Sequence, residues 1–279
     1  MRTLYVTDLD GTFLNSSSRV SSVSAAIVSR LSRRGALIPV ATARTPATVE
    51  PLLEHTVTSL PAIVMTGATW WDRETKTYAD SHFIDAATVA EIGRKAEKWG
   101  INPFVYTLPH DDIMQVYHHS PLSPHDEKFV AERADLKLKH FNLDASREEC
   151  FTRRRTILFF AMGSVGSINA LADDLRATVP CSVSNYVDIF KHDVGIIEIF
   201  APGISKAAAV RKLADDCGAE RVVVFGDNLN DLSMMAVADL SVAVGNAFPQ
   251  VKEAADIVIG RNDEDAVARF MEEEFNRQG

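Results

Sequence analysis

Cysteine is scarce in this chain: Cys150, Cys181 and Cys217 are the only three among 279 residues, and no CxxC pair occurs. An odd, widely spaced set supplies neither a disulfide framework nor a zinc ligand set, and it fits a reducing compartment. Long apolar runs are also missing. No stretch reaches the 18 or so consecutive apolar residues that a membrane-spanning helix needs. The opening Met1-Arg2-Thr3-Leu4-Tyr5-Val6-Thr7-Asp8 meets an acid after a few apolar positions, so no signal peptide is expected. Positive charge is in deficit, with 29 Lys+Arg against 38 Asp+Glu and a formal net charge of -9. Nucleic acids and anionic membranes demand a positive face, so neither is expected as the main partner. A cytoplasmic location is the expectation, and composition leaves the oligomeric state open.

Hydrophobic residues make up 46% and charged residues 24%, as in an ordinary globular protein of one large or two modest domains. The chain begins in a βα grammar. Residues 4–7 read as a short strand, 22–34 as a helix stopped by Gly35, 36–41 as a buried strand, 48–55 as a helix and 62–65 as a strand. That alternation predicts a doubly wound parallel sheet. After Gly67 the grammar changes. A hairpin turns near residues 72–75, and a helix over 86–99 leads to strand-like runs at 103–107, 113–119, 156–161 and 181–190, with a helix over 165–178. The alternation then returns with strands at 196–200 and 221–225, helices at 206–217 and 231–238, apolar runs at 240–244 and 257–259, and a final helix at 264–276. The expected fold class is therefore α/β. A doubly wound parallel-sheet, Rossmann-like core of residues 1–83 and 192–279 is interrupted by an α+β insert over 84–191, which at about 110 residues is domain-sized.

Two acidic clusters sit at predicted strand ends, where ligands bind in such sheets. Asp8-Leu9-Asp10-Gly11-Thr12 follows the first strand. Its carboxylates at i and i+2 project to one side, and Gly11 lets the chain turn away. One carboxylate can attack phosphorus while the other moves a proton for the leaving group. The plainer alternative is a strand-end turn, which Asp and Gly also favour. Gly226-Asp227-Asn228-Leu229-Asn230-Asp231 follows the strand at 221–225 and offers hard oxygen ligands of the kind Mg²⁺ prefers. Asn230 or Asp231 would equally serve as a helix N-cap. Thr42 at a strand end and Lys206 at a helix start carry less weight alone, since Thr is a common turn residue and the helix dipole disfavours a cation at its N-terminus.

In this order and on these strand ends, the four pieces resemble the haloacid dehalogenase superfamily of phosphohydrolases, and within it the Cof-type branch. The phrases Val244-Gly245-Asn246-Ala247, Val251-Lys252-Glu253-Ala254-Ala255-Asp256 and Asn262-Asp263-Glu264-Asp265 are similar to that branch as well. The likeness covers the two core segments, whereas across the insert it is one of architecture. The resemblance implies a Mg²⁺-dependent phosphatase acting on small organic phosphate monoesters through a phospho-aspartyl intermediate at Asp8, with the insert as a cap. It also implies that Asp8 is nucleophile and metal ligand, and that Asp10 is general acid/base and gives its backbone carbonyl to the metal. Asp227 is the further metal ligand, with Asp231 behind it. Leu9, Thr42, Ala43, Lys206 and Asn230 contact the phosphoryl group. Mg²⁺ and Lys206 would reverse the local sign of an acidic site that must receive a phosphate dianion. Three positions depart from the branch: Ala43 and Ala207 stand where Gly is usual, and Thr66 stands where Asn is usual. A phosphotransferase or mutase with the same intermediate, or a non-catalytic regulatory binder on the same scaffold, are the alternatives.

Other features invite less. His118-His119, with His110, Asp111 and Asp112 nearby, is not expected to hold a metal, because alternation along a strand sends adjacent histidines to opposite faces. Arg153-Arg154-Arg155 reads as a solvated edge, and Trp70-Trp71 as one core and one interface residue of the hairpin.

Overall fold

The computed structural model describes residues 2–109, 113–187 and 193–278. The chain forms two compact units, one of Met1–Asp80 with Ser205–Gly279 and the other of Ser81–Ile204.

In the first unit, β1 (Thr3–Thr7) is buried along its whole length, as expected of an inner parallel strand. A tight turn over Leu9–Phe13 leads to α1 (Ser22–Arg33), capped by the Ser21 side chain, which accepts from the Ser24 N–H. Then come α2 (Pro46–Leu52), β2 (Ala62–Val64), β3 (Thr69–Asp72) and β4 (Thr77–Ala79). The last three form a small antiparallel sheet in the order β2-β3-β4. Both Trp70 and Trp71 are buried there. The segment 36–41 does not form a continuous strand. It bridges Leu4 to Leu37, Thr7 to Val40 and Ala41 to Ile63 in parallel. Pro39 has no N–H to give, so the ladder is interrupted in its middle.

The second unit contains α3 (Ala86–Lys98), β5 (Phe104–Thr107), β6 (Met114–His119), α4 (Pro124–Ala131), β7 (Lys139–Ala145), α5 (Arg147–Phe151), β8 (Thr156–Ser164), α6 (Val165–Thr178), β9 (Ser182–Val187) and β10 (Val194–Phe200). Its six-stranded sheet runs β7-β6-β5-β8-β10-β9. Alternate residues Val105, Phe159, Ala161, Ile197 and Ile199 point to one face, where they pack with Val89 and Ile92 of α3 and with Ile168, Leu171 and Leu175 of α6. The expected boundary at 191/192 needs correction. β10 pairs antiparallel with β8 and β9, so it completes the insert's sheet and does not return to the core. Its apolar run fits either sheet; the antiparallel partners on both sides decide. The pattern ahead of residue 156 reads only as a helical or irregular stretch, although Ser123 with Asp126 and Ser146 with Glu149 are capping boxes that announce two short helices.

The chain then rejoins the first unit through α7 (Lys206–Cys217), β11 (Arg221–Gly226), α8 (Leu232–Met235), β12 (Leu240–Ala243), α9 (Pro249–Ala254), β13 (Ile257–Val258) and α10 (Ala266–Gln278). β1, β11, β12 and β13 are all parallel, in that order. With the bridged segment 37–41 on the other side of β1, this is the doubly wound α/β core that the βα alternation predicts. Thr7 stands opposite Phe225, so the acidic residues after each strand emerge at the same sheet edge. Among the described residues, no helix is long and apolar enough to cross a membrane.

Candidate active site

The Asp8 N–H donates to the Phe225 carbonyl at 3.0 Å, continuing the β1–β11 ladder by one residue. The chain then swerves at Gly11, whose φ is +75°. A side chain there would be excluded twice over: the backbone is left-handed, and a Cβ would sit 2.3 Å from Asp227 Oδ2. The close approach lets Thr12 Oγ1 donate to Asp227 Oδ1 at 2.9 Å. Asn246 Nδ2 donates to the Gly11 carbonyl at 2.7 Å and fixes the turn from outside.

On β11 the same logic repeats. A Cβ on Gly226 would lie 2.6 Å from the Asp231 Cβ, so glycine is what lets Asp231 fold back over the strand end. Asp231 Oδ2 accepts from the Asp227 and Asn228 N–H groups at 3.0 and 3.1 Å. Its Oδ1 accepts from Lys206 Nζ at 2.8 Å. Lys206 also donates to Asp8 Oδ1 at 2.6 Å. This settles the awkward placement of a lysine at the first residue of α7. Its side chain is fully buried, and two carboxylates outweigh the helix dipole.

Asp8, Asp227 and Asp231 each present a carboxylate oxygen within 4.8 Å of the others, a group able to hold a metal ion. Three carboxylates against one ammonium leave the cluster too negative. Burial, with Asp231 and Asp227 alongside, raises Asp8 to about 8 despite the pull of Lys206. Burial likewise raises Asp227 to about 6 against the Thr12 hydrogen bond. Burial pulls the Lys206 ammonium down, but Asp231 and Asp8 outweigh it and hold it above its usual range. A site that resists its own negative charge, and whose donors are all hard oxygens, suits a divalent cation.

Of the residues singled out in the sequence, Asp8, Lys206, Asp227 and Asp231 are joined in one cluster. Asp10 is turned elsewhere: both of its oxygens accept from Arg44, from Nε and Nη2 at 2.6 Å each. Thr42 is buried, and its Oγ1 accepts from the Arg44 N–H at 3.2 Å. Ala43 is half-buried between them, and the Leu9 side chain is wholly in the core. Asn230 is exposed and, among the described residues, its side chain makes no hydrogen bond. Sequence reasoning passed over Arg44, Thr12 and Asn246 as site residues. Thr12 and Asn246 lie inside motifs already noted, whereas Arg44 stands two residues after Thr42 and one sequence carries no signal that it meets Asp10.

In the insert, His118 and His119 each reach a backbone carbonyl, of Asn102 and Ala145 respectively. His110, Asp111 and Asp112 lie outside the described residues. Arg153 and Arg155 are not merely solvated: they stack over the Tyr117 and Phe83 rings at 4.0 and 4.4 Å.

A family model described as haloacid dehalogenase-like hydrolase matches residues 5–271. The chain belongs to that family. Among its relatives, the 5-amino-6-(5-phospho-D-ribitylamino)uracil phosphatase YitU of Bacillus subtilis is 25% identical over 279 residues, covering 98% of this chain and 97% of the relative. The pyridoxal phosphate phosphatase YbhA of Escherichia coli is 26% identical over 275 residues, covering 95% of each. A haloacid dehalogenase-like hydrolase from Bacteroides thetaiotaomicron shares the fold with a TM-score of 0.77 at 24% identity over the whole of both chains.

Proposed function

We propose that this protein is a Mg²⁺-dependent phosphatase that hydrolyses small organic phosphate monoesters through a phospho-aspartyl intermediate at Asp8. The observation that carries this reading is the buried Lys206 ammonium shared by Asp8 and Asp231, beside Asp227, at the shared end of two parallel strands. The two full-length relatives are both named for the phosphatase reaction on a small phosphate ester.

Asp8 attacks phosphorus, the bond to the ester oxygen breaks, and Asp10 gives that oxygen a proton. A water then attacks the acyl phosphate, passing its proton to Asp10 and releasing phosphate and Asp8. Lys206, the Thr42 hydroxyl, the Leu9 and Ala43 backbone and Asn230 are assigned to the phosphoryl oxygens, and Asp231 anchors Lys206. Mg²⁺, held by Asp8, Asp227 and the Asp10 carbonyl with Asp231 behind, would supply charge neutralisation on those oxygens. The insert is assigned to substrate selection as a cap. Free Cys150, Cys181 and Cys217 support a cytoplasmic setting.

The test is a phosphate-release screen over sugar phosphates, nucleotides and cofactor phosphates, with Mg²⁺ and with chelator, on the wild type and Asp8→Asn. Metal-dependent release that the variant abolishes supports the assignment; undiminished release by the variant removes Asp8 from the chemistry. Stoichiometric phosphate without any acceptor sugar separates a hydrolase from a phosphotransferase.

A further inference from the structure

The fork between Arg44 and Asp10 has no part in the chemistry set out above. Both of its backbones are anchored. The Arg44 N–H donates to Thr42 Oγ1 at 3.2 Å, and its carbonyl accepts from the Met65 N–H at 3.0 Å. Asp10 lies between the fully buried Leu9 and the left-handed Gly11, whose carbonyl Asn246 holds. What is left free is the rotation of the Asp10 carboxyl group, and two parallel N–H···O bonds of 2.6 Å set that rotation. Such a bidentate pair fixes a plane as well as a distance. Half of the Asp10 side chain and 30% of the Arg44 side chain stay exposed, so the pair is reachable from solvent, unlike the buried Lys206.

We propose that Arg44 is a positioning residue: its guanidinium fork fixes the plane of the Asp10 carboxyl group so that the edge outside the fork, which carries the proton in the acid form, faces the leaving-group oxygen. This rests on the phosphatase reading given above. In the step it serves, the bond from Asp8 to phosphorus forms and the bond to the ester oxygen breaks. The electron pair stays on that oxygen, and the Asp10 proton goes to it. A simple alkoxide leaves poorly without the proton, whereas a nitrophenolate leaves well without it. The benefit of Arg44 therefore depends on the leaving group. It also depends on shape: lysine carries the same charge as a single point and makes no fork.

The experiment is steady-state kinetics in Mg²⁺ on an alkyl phosphate and on 4-nitrophenyl phosphate, for wild type, Arg44→Lys, Arg44→Ala, Asp10→Asn and Asp10→Asn/Arg44→Ala. On the alkyl ester, kcat/KM, which reads the steps up to departure of the leaving group, should fall about 30-fold in both Arg44 variants, with KM changed by less than about threefold. The aryl ester should lose less than about threefold in kcat/KM. Adding Arg44→Ala to Asp10→Asn should cost little more, because the two residues act as one unit. Far-UV circular dichroism and denaturant midpoints verify folding, and Arg44→Lys carries the test where alanine is not tolerated. Restoration by lysine, a raised KM at unchanged kcat, or equal losses of kcat/KM on both esters would overturn the proposal in favour of simple charge capture. Wild-type aryl turnover that Asp8→Asn abolishes upholds the phosphatase reading whatever Arg44 does. A wild type inert toward both esters removes that reading and this proposal together.

Discussion

The core holds a buried ion cluster and the insert a partly exposed one, with opposite arithmetic. In the insert, one carboxylate, Asp174, accepts from Lys95 and Lys98 Nζ at 2.6 and 2.8 Å and from Trp99 Nε1 at 3.0 Å. Those hydrogen bonds, Lys95 foremost, hold its carboxyl pKa well below the usual carboxylate range. In the core, one ammonium serves Asp8 and Asp231 while Asp227 stands alongside, and the carboxylates of Asp8 and Asp227 are pushed up. The insert's cluster is complete as it stands and ties α3 to α6. The core's cluster lacks positive charge, and that deficit suits it to a cation. Ion clusters thus divide by stoichiometry into those that hold a fold and those that wait for a ligand.

The sharpest way to break the comparison is Asp8→Asn. Turnover should fall by at least about 10³-fold while the fold survives, since the proposed mechanism loses its nucleophile but the side chain keeps its hydrogen-bonding shape. Stopped assays and circular dichroism check both halves. Next is Lys206→Met, which strands two buried carboxylates and should cost about 3–5 kcal/mol of stability in denaturant melts. Lys95→Met leaves Asp174 with Lys98 and Trp99 and should cost less, about 1–2 kcal/mol. Similar losses for the two would erase the distinction.

A gentler probe is pH. Asp8 and Asp227 have folded values raised above the unfolded carboxylate range, so their contribution is fully present below about 4. It is lost as pH rises through about 6 for Asp227 and about 8 for Asp8. Chelated protein should therefore melt lower at pH 8 than at pH 5.5, and Mg²⁺ should raise Tm more at the higher pH. Asp174 has the opposite sign: its support is present above the unfolded value and fades as pH falls. A Mg²⁺ shift independent of pH would contradict the charge-deficit account.

The smallest effect concerns Thr66, a β-branched residue held at φ 59° with a buried, unpartnered hydroxyl. Asn tolerates that conformation better, so Thr66→Asn should gain about 0.5–1 kcal/mol, read from the denaturant midpoint.

Much of this was legible in the chain because it is local. Strand β1, helices α1, α6 and α7 and the two acidic turns follow from periodicity, caps and Gly-Asp chemistry within a few residues. β7 was not legible, because KHFNLDA lacks a clean alternation and forms against β6 through partners distant in sequence. Nor was the allegiance of β10, which its neighbours decide. Among site residues, Asp8 and Asp227 announced themselves at strand ends, while nothing in the chain marked Arg44.

The sequence by itself determined where the acidic turns stand, that glycine must accompany each, and that the core alternates strand and helix. Only the tertiary structure decided that Lys206 crosses 198 positions of sequence to reach Asp8, and that Arg44 grips Asp10. The reason is physical. Turn and helix chemistry acts between neighbours, but the partner of a charge is chosen by strand register and burial, which exist only once the sheet has formed.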